Sequence, residues 1–139
     1  MKIIKNYRNL DESDRGSIIA IGNFDGIHNG HKALINNITE LSKTMGKKTG
    51  ICTFNPHPKN FFANGQAINQ ITSQELKYEI LKKLGIDILY EIEFNHELSR
   101  MSPDEFFNNI LIDGLGVSHV TVGSDFKFGH KRSGNSSYL

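Results

Sequence analysis

The sequence predicts an α/β protein with a Rossmann-like parallel sheet and flanking helices. Short apolar runs, the pattern of strands buried on both faces, alternate with segments whose apolar residues recur at helical spacing. Glycine or proline stands at several of the junctions between them. Strands and helices in alternation are joined by right-handed crossovers, so we expect the strands to be parallel.

The first half of the chain contains two runs expected to form buried strands. Ile18-Ile19-Ala20-Ile21 is apolar throughout and rich in β-branched residues. Asn55-Pro56-His57-Pro58 ends the second run, because proline cannot donate a hydrogen bond to a neighbouring strand. The elements expected here are an edge strand at Ile3-Ile4, a polar loop at residues 11–16, a strand starting near Ser17, a helix from His31 to about Met45 with Gly46 as its left-handed cap, and a strand from Thr49 to Phe54.

Two capping boxes predict where the helices of the second half begin. Thr72-Ser73-Gln74-Glu75 precedes one helix, and Ser102-Pro103-Asp104-Glu105, with proline at the favoured first position, precedes another. The first of these helices is expected to bury Leu76, Ile80, Leu81 and Leu84 and to end at Gly85; the second carries Phe106, Phe107, Ile110 and Leu111 on one face and ends at Gly114 or Gly116. Strands are expected at Ile86 to Phe94, with Asp87 and Glu91 near its ends or edge, and at Val117 to Gly123.

Composition limits the classes of function. Sixteen Lys and Arg against fifteen Asp and Glu, in 139 residues, make no basic field for a nucleic-acid backbone, so DNA and RNA are not expected partners. One cysteine, Cys52, cannot form an intrachain disulfide, which agrees with a reducing compartment. No signal peptide or apolar run long enough to span a membrane is visible, so the sequence predicts a cytoplasmic protein.

The turn after the first buried strand predicts a phosphate-binding site. Gly22, Gly26 and Gly30 let the backbone approach a ligand closely, and the turn leads into the amino end of a helix. Free N–H groups and the positive end of the helix dipole favour an anion there. His28 and His31, three residues apart, can both donate hydrogen bonds to one phosphate chain.

Two other interpretations of this turn stay open. The same histidine spacing serves metal ions such as zinc, although Cys52 lies in an apolar run and no second ligand pair has the usual spacing. The turn can also be a plain glycine loop with two surface histidines. Neither the Gly-Lys-Ser/Thr phosphate loop nor the G-x-G-x-x-G dinucleotide fingerprint is present.

Three blocks of sequence together resemble one family. The loop Gly22 to His31 fits the G-x-F-D-G-x-H-x-G-H pattern of the nucleotidyltransferase superfamily; the T-F-x-P-H-P block is Thr53 to Pro58, and the G-x-D-F-x-F-G block is Gly123 to Gly129, followed by Arg132. With these blocks the chain resembles the adenylyltransferase (FAD synthetase) domain of bacterial bifunctional riboflavin kinase/FMN adenylyltransferases. The resemblance implies transfer of AMP from ATP to FMN. We expect Mg²⁺ to be bound with the ATP, and we assign no residue as a metal ligand.

The resemblance also implies roles for individual residues. His28 and His31 are the expected catalytic residues. The expected ATP-binding residues are Gly22, Phe24, Asp25, Gly26, His28, Gly30 and His31, and the expected FMN-binding residues are Asn55, His57, Pro58, Asp125, Phe126, Phe128 and Arg132. Asp25 can cap the loop through backbone N–H groups or contact the metal, and both roles stay open.

The chain departs from the family pattern at its end. Ser136-Ser137-Tyr138-Leu139 is not the Ser-Ser-Thr-x-x-Arg segment that completes the nucleotide site in the family. We therefore expect residues 1–139 to be an FMN adenylyltransferase domain that lacks its C-terminal part, with no riboflavin kinase domain. A non-catalytic nucleotide- or flavin-binding fragment, and an adenylyltransferase for pantetheine phosphate or nicotinamide mononucleotide, are the alternatives.

Overall fold

The structure is a computed structural model. It describes residues 1–22, 24, 29–55, 74–122, 127–128 and 134–135. Among these residues no helix is both long and apolar enough to cross a lipid bilayer.

A five-stranded sheet forms the centre of the described chain. Its strand order is β1-β4-β3-β2-β5, and every neighbouring pair is parallel, as the alternation of elements predicted. The edge strand expected at Ile3-Ile4 is confirmed. The strands are β1 (Lys2–Ile4), β2 (Ile18–Ile21), β3 (Thr49–Asn55), β4 (Ile88–Glu93) and β5 (His119–Val122); a separate antiparallel pair consists of β6 (Lys127–Phe128) and β7 (Gly134–Asn135).

The helices are α1 (Asn29–Met45), α2 (Gln74–Lys83), α3 (His96–Ser99) and α4 (Pro103–Glu105), which continues as a π-helix over Phe106–Gly114; a 3₁₀-helix spans Glu12–Asp14. They alternate with the strands as predicted, except that α3 lies where a connector was expected. Gly46, with φ +65°, ends α1 in the left-handed conformation, as expected. The capping box at Ser102 and Glu105 is also confirmed, whereas Thr72 and Ser73 of the other box lie outside the described residues.

Each face of the sheet has its own apolar core. Because side chains alternate along a strand, Ile18 and Ala20 of β2 face α1 and α2, while Ile19 and Ile21 face the opposite side. The π-helix covers that opposite side with Phe106, Ile110 and Leu111. The interior strands β2, β3 and β4 are thus buried on both faces, which explains why they are mostly apolar.

The structure corrects two expectations about buried residues. Leu76 was expected in the buried stripe of α2, but 47 % of it is exposed, whereas Lys77 and Leu81, one turn apart, are buried. Glu91 was expected near an end or edge of its strand. It lies instead inside β4, between two neighbouring strands, and only 3 % of it is exposed.

The π-helix was not predicted, because the spacing of its apolar residues fits an α-helix equally well. The N–H of Leu115 donates to the carbonyl of Ile110, five residues back, at 2.8 Å. This wider turn places Phe106, Ile110 and Leu115, at intervals of four and five, in one core. Gly116, with φ +59°, follows as the backbone leaves the helix.

Candidate active site

Three of the sequence blocks begin at the same edge of the sheet. In the strand order, β2 lies between β3 and β5, and Ile21 at the end of β2 is in register with Cys52 and Val122. The chain therefore leaves three neighbouring strands at their carboxyl ends. These exits lead into residues 22–31, 56–58 and 123–134.

The sheet also has a topological switch point at this edge. After β2 the chain crosses one face through α1 and joins β3, whereas β5, reached through the π-helix on the other face, lies on the far side of β2. The connection that leaves β2 and the connection that reaches β5 thus lie on opposite faces of the sheet, and a crevice opens there outside the strand ends. Open α/β sheets bind ligands in this crevice.

The turn after β2 is held in place by Phe24. Its ring is fully buried in the core beneath α1, and its backbone has φ +54°, a conformation that non-glycine residues rarely adopt. A Cβ atom on Gly22 would lie 3.1 Å from that ring, so the small residue is needed there. The N–H of Gly22 donates to the carbonyl of Cys52 at 3.1 Å, which joins the turn to β3.

His31 lies in the first turn of α1, beside this turn. Its imidazole is half-buried, and its centroid is 4.8 Å from that of the Phe24 ring, with 38° between the ring planes. Phe24 thus supports the histidine from the core side. Phe24 was predicted among the ATP-binding residues; with its ring buried, a contact with ATP would come from its backbone.

Asn55 ends β3 at the same edge, and a buried carboxylate lies beside it. The Asn55 side chain is exposed, and its Nδ2 atom lies 3.5 Å from Oε1 of Glu91, the buried carboxylate. The Tyr78 hydroxyl donates to Oε2 of Glu91 at 2.5 Å, and Nζ of Lys5 lies 3.8 Å from Oε1. Burial, and then the hydrogen bond to Glu91, raise the pKa of Tyr78 to about 12.

Sequence reasoning did not include Glu91 in the site. The signal was an acidic residue inside the otherwise apolar run Ile88 to Ile92. Such a residue in a central strand requires partners in the fold, since a buried charge is costly without them.

The remaining predicted residues are only partly covered by the structure. Gly30 lies in the first turn of α1, and Phe128 lies in β6. Asp25, Gly26, His28, His57, Pro58, Asp125, Phe126 and Arg132 lie outside the described residues. Within the described ranges no three His, Cys, Asp or Glu side chains are grouped to hold a metal ion, and Cys52 is fully buried in the core.

This fold and edge define a class of protein. A parallel α/β sheet in which an interior strand is followed by a glycine turn and a helix, at a switch point, is typical of nucleotide-binding proteins. The family model for FAD synthetase matches residues 10–139, and the chain belongs to that family.

Several curated proteins are similar to this chain, and all three named here are bifunctional riboflavin kinase/FMN adenylyltransferases. The relative from Buchnera aphidicola of Schizaphis graminum is 37 % identical over the whole chain, which matches 45 % of that relative. The Listeria monocytogenes relative is 36 % identical over 91 % of the chain and 40 % of its own length. The Escherichia coli K12 relative is 31 % identical over 97 % of the chain and 44 % of its own length.

A similar fold is found among solved structures. The crystal structure of a macrolide-efflux protein from Streptococcus pneumoniae superposes with a TM-score of 0.77 at 26 % identity. The match covers 92 % of this chain and 43 % of that chain. The chain thus spans less than half the length of the relatives and of the structure that it matches.

Proposed function

We propose that this chain is an FMN adenylyltransferase domain that transfers AMP from ATP to FMN, giving FAD and pyrophosphate. The observation that carries the proposal is the FAD synthetase family match over residues 10–139. The glycine turn at the switch point supports it, because that is where an α/β sheet holds a nucleotide. ATP and FMN are small molecules of the cytoplasm, where we propose that the domain acts without a nucleic-acid partner.

The ATP half of the site is the turn between β2 and α1. His28, His31 and the amides from Gly22 to Gly30, including those of Asp25 and Gly26, bind the triphosphate. His31 is suited to this role because it lies in the first turn of a 17-residue helix, where the dipole favours an anion. ATP enters as its Mg²⁺ complex, and the metal is part of that substrate.

The FMN half is the neighbouring part of the same edge. Asn55 lies at the end of β3, next to β2 in the sheet. We assign His57, Pro58 and Asp125 to the flavin phosphate, with Phe126, Phe128 and Arg132 supplying an aromatic surface and a positive charge.

The reaction needs alignment and charge stabilisation more than proton transfer. A phosphate oxygen of FMN attacks the α-phosphorus of ATP, the new P–O bond forms, and the bond to pyrophosphate breaks with its electron pair on the leaving oxygen. The FMN phosphate is already ionised near neutral pH, so no general base is required. His28 and His31 stabilise the negative charge that develops on the phosphates.

Chromatographic measurement of FAD formed from FMN, ATP and Mg²⁺ tests the proposal. The His28→Ala/His31→Ala double variant should lose about 10²- to 10⁴-fold in turnover, because charge stabilisation is removed from the transition state. His119→Ala is the matched control, since His119 is exposed at the first residue of β5, away from the carboxyl edge. Near-normal turnover in the double variant would refute the assignment.

The same assay separates the alternatives. Binding of FMN and ATP by the wild-type chain without FAD formation would select a non-catalytic fragment. Stabilisation by pantetheine phosphate or nicotinamide mononucleotide, but not by FMN, in a thermal-shift experiment would select another adenylyltransferase.

A further inference from the structure

A buried carboxylate lies under the part of the edge assigned to FMN. Glu91 is 3 % exposed, and it follows Leu89 on the face of the sheet that α2 covers. In the parallel register it pairs with Thr53 of β3, two residues before Asn55. The carboxylate therefore lies between the end of β3 and the helix α2.

Three groups, from three different parts of the chain, meet this carboxylate. The Tyr78 hydroxyl donates to Oε2 at 2.5 Å, Nδ2 of Asn55 lies 3.5 Å from Oε1, and Nζ of Lys5 lies 3.8 Å from Oε1. The Asn55 amide turns its N–H side, which can donate, towards this carboxylate oxygen. The buried Glu91 thus fixes the orientation of the Asn55 amide at the edge of the sheet.

The contacts of Glu91 join two points that the sequence separates widely. Residues 56–73 connect Asn55 to Gln74, the first residue of α2, and Tyr78 lies in the second turn of that helix. One carboxylate therefore contacts both β3, just before these residues, and α2, just after them. A shift of α2 would therefore move the Asn55 side chain, because both contact the Glu91 carboxylate.

We propose that Glu91 is a positioning residue for FMN, acting through Asn55 and Tyr78. This inference rests on the proposed function, because it takes Asn55 to be a flavin contact. A merely structural role would tie α2 to the sheet without affecting one ligand more than the other. A positioning role changes FMN affinity selectively.

Titrations of the chain with FMN and, separately, with Mg²⁺-ATP distinguish the two roles. In Glu91→Gln, one carbonyl oxygen replaces two acceptors, so the Tyr78 hydroxyl and the Asn55 amide compete for it. We expect the Kd for FMN to rise about tenfold in Glu91→Gln and about threefold in Tyr78→Phe. The Kd for ATP should stay within about twofold in both variants.

Tyr90→Phe is the matched control. It also removes a buried tyrosine hydroxyl, one that lies 2.9 Å from the Ser17 hydroxyl and donates to the Asp14 carbonyl at 2.7 Å, on the other face of the sheet. This variant should lower the Tm while its Kd for FMN stays within about twofold of the wild type. A lower Tm by itself is therefore not expected to raise the Kd for FMN.

Each outcome decides between the proposals. Wild-type chain that does not bind FMN refutes the proposed function itself. Wild-type binding with an unchanged FMN Kd in both variants, or equal weakening of FMN and ATP, overturns the role of Glu91. If Glu91→Gln does not fold, Tyr78→Phe alone decides by the same comparison.

Discussion

At the scale of single residues, the buried Cys52 thiol gives the protein a predictable response to alkali. Burial raises the pKa of Cys52 from 9.0 to about 12. In the unfolded chain the thiol loses its proton near pH 9, while the folded chain keeps it. The thiol therefore makes its full contribution to the free energy of unfolding below pH 9. That free energy falls as the pH rises from 9 towards 12, by at most about 1.4 kcal/mol per pH unit from this group.

Urea unfolding at pH 8, 9 and 10 measures this effect. Cys52→Ala should show a smaller loss between pH 9 and 10 than the wild type, whatever its constant offset in stability. Tyr90, whose pKa burial raises from 10.0 to about 12, contributes the same sign of dependence at higher pH. Identical slopes for Cys52→Ala and the wild type would show that the thiol is not shielded in the folded state.

At the scale of elements, α2 offers a comparison of two leucines on one helix. Leu81 is fully buried in the core beneath α1 and α2, whereas 47 % of Leu76 is exposed. We expect Leu81→Ala to lower the free energy of unfolding by about 2–5 kcal/mol, because it leaves a cavity. Leu76→Ala should stay within about 0.5 kcal/mol of the wild type. Equal losses in chemical denaturation would contradict the packing of this helix.

The helix α4 depends on its capping box. The Ser102 hydroxyl accepts from the Glu105 N–H at 3.1 Å, and the Glu105 carboxylate accepts from the Ser102 N–H at 3.3 Å. Ser102→Ala should reduce the free energy of unfolding by about 1 kcal/mol. Because the two bonds are reciprocal, the loss in Ser102→Ala/Glu105→Ala should be smaller than the sum of the single losses. A double-mutant cycle by urea unfolding that gives strict additivity would argue against the box.

The same elements show why hydrophobic periodicity predicts that a helix or strand forms better than it predicts which of its residues are buried. The apolar runs predicted every strand of the parallel sheet, and the signal is strongest for the interior strands β2, β3 and β4, which are buried on both faces. The periodicity did not predict that Leu76 is exposed. A shift of one residue moves a side chain by about 100° around the helix axis, while the number of apolar residues in the segment hardly changes. Nor did it predict the π-helix, whose wider turn is set by packing of Phe106 and Ile110 against the sheet.

At the scale of the whole molecule, the site depends on the strand order, which sequence alone did not provide. The motif around Gly22 was predictable because strand, glycine turn and helix are contiguous in sequence. Because the strands were expected to be parallel, the loops after β2, β3 and β5 were expected at one edge of the sheet, but that these three strands are neighbours is a property of topology. Glu91 was missed for the same reason, because its partners Lys5, Asn55 and Tyr78 come from distant parts of the chain.

The strand order leads to a prediction about how the two ligands stabilise the molecule. The proposed ATP half follows β2 and the proposed FMN half follows β3. Both are interior strands of the sheet, so either ligand should stabilise the whole fold. At about 100 times its Kd, a ligand that binds only the folded state adds about 2.7 kcal/mol to the free energy of unfolding. His31→Ala should lose this increment for Mg²⁺-ATP and keep it for FMN, and Asn55→Ala should do the reverse.

Thermal unfolding of both variants with each ligand measures this exchange. The reciprocal pattern is expected because His31 lies at the start of α1, whereas Asn55 ends β3, which extends three residues beyond the point in register with Ile21. At about 3.3 Å per residue, Asn55 lies roughly 10 Å beyond the end of β2 along the strand direction. Loss of both increments in either variant would mean that the two ligands share one set of contacts, and the division of the edge into two halves would be wrong.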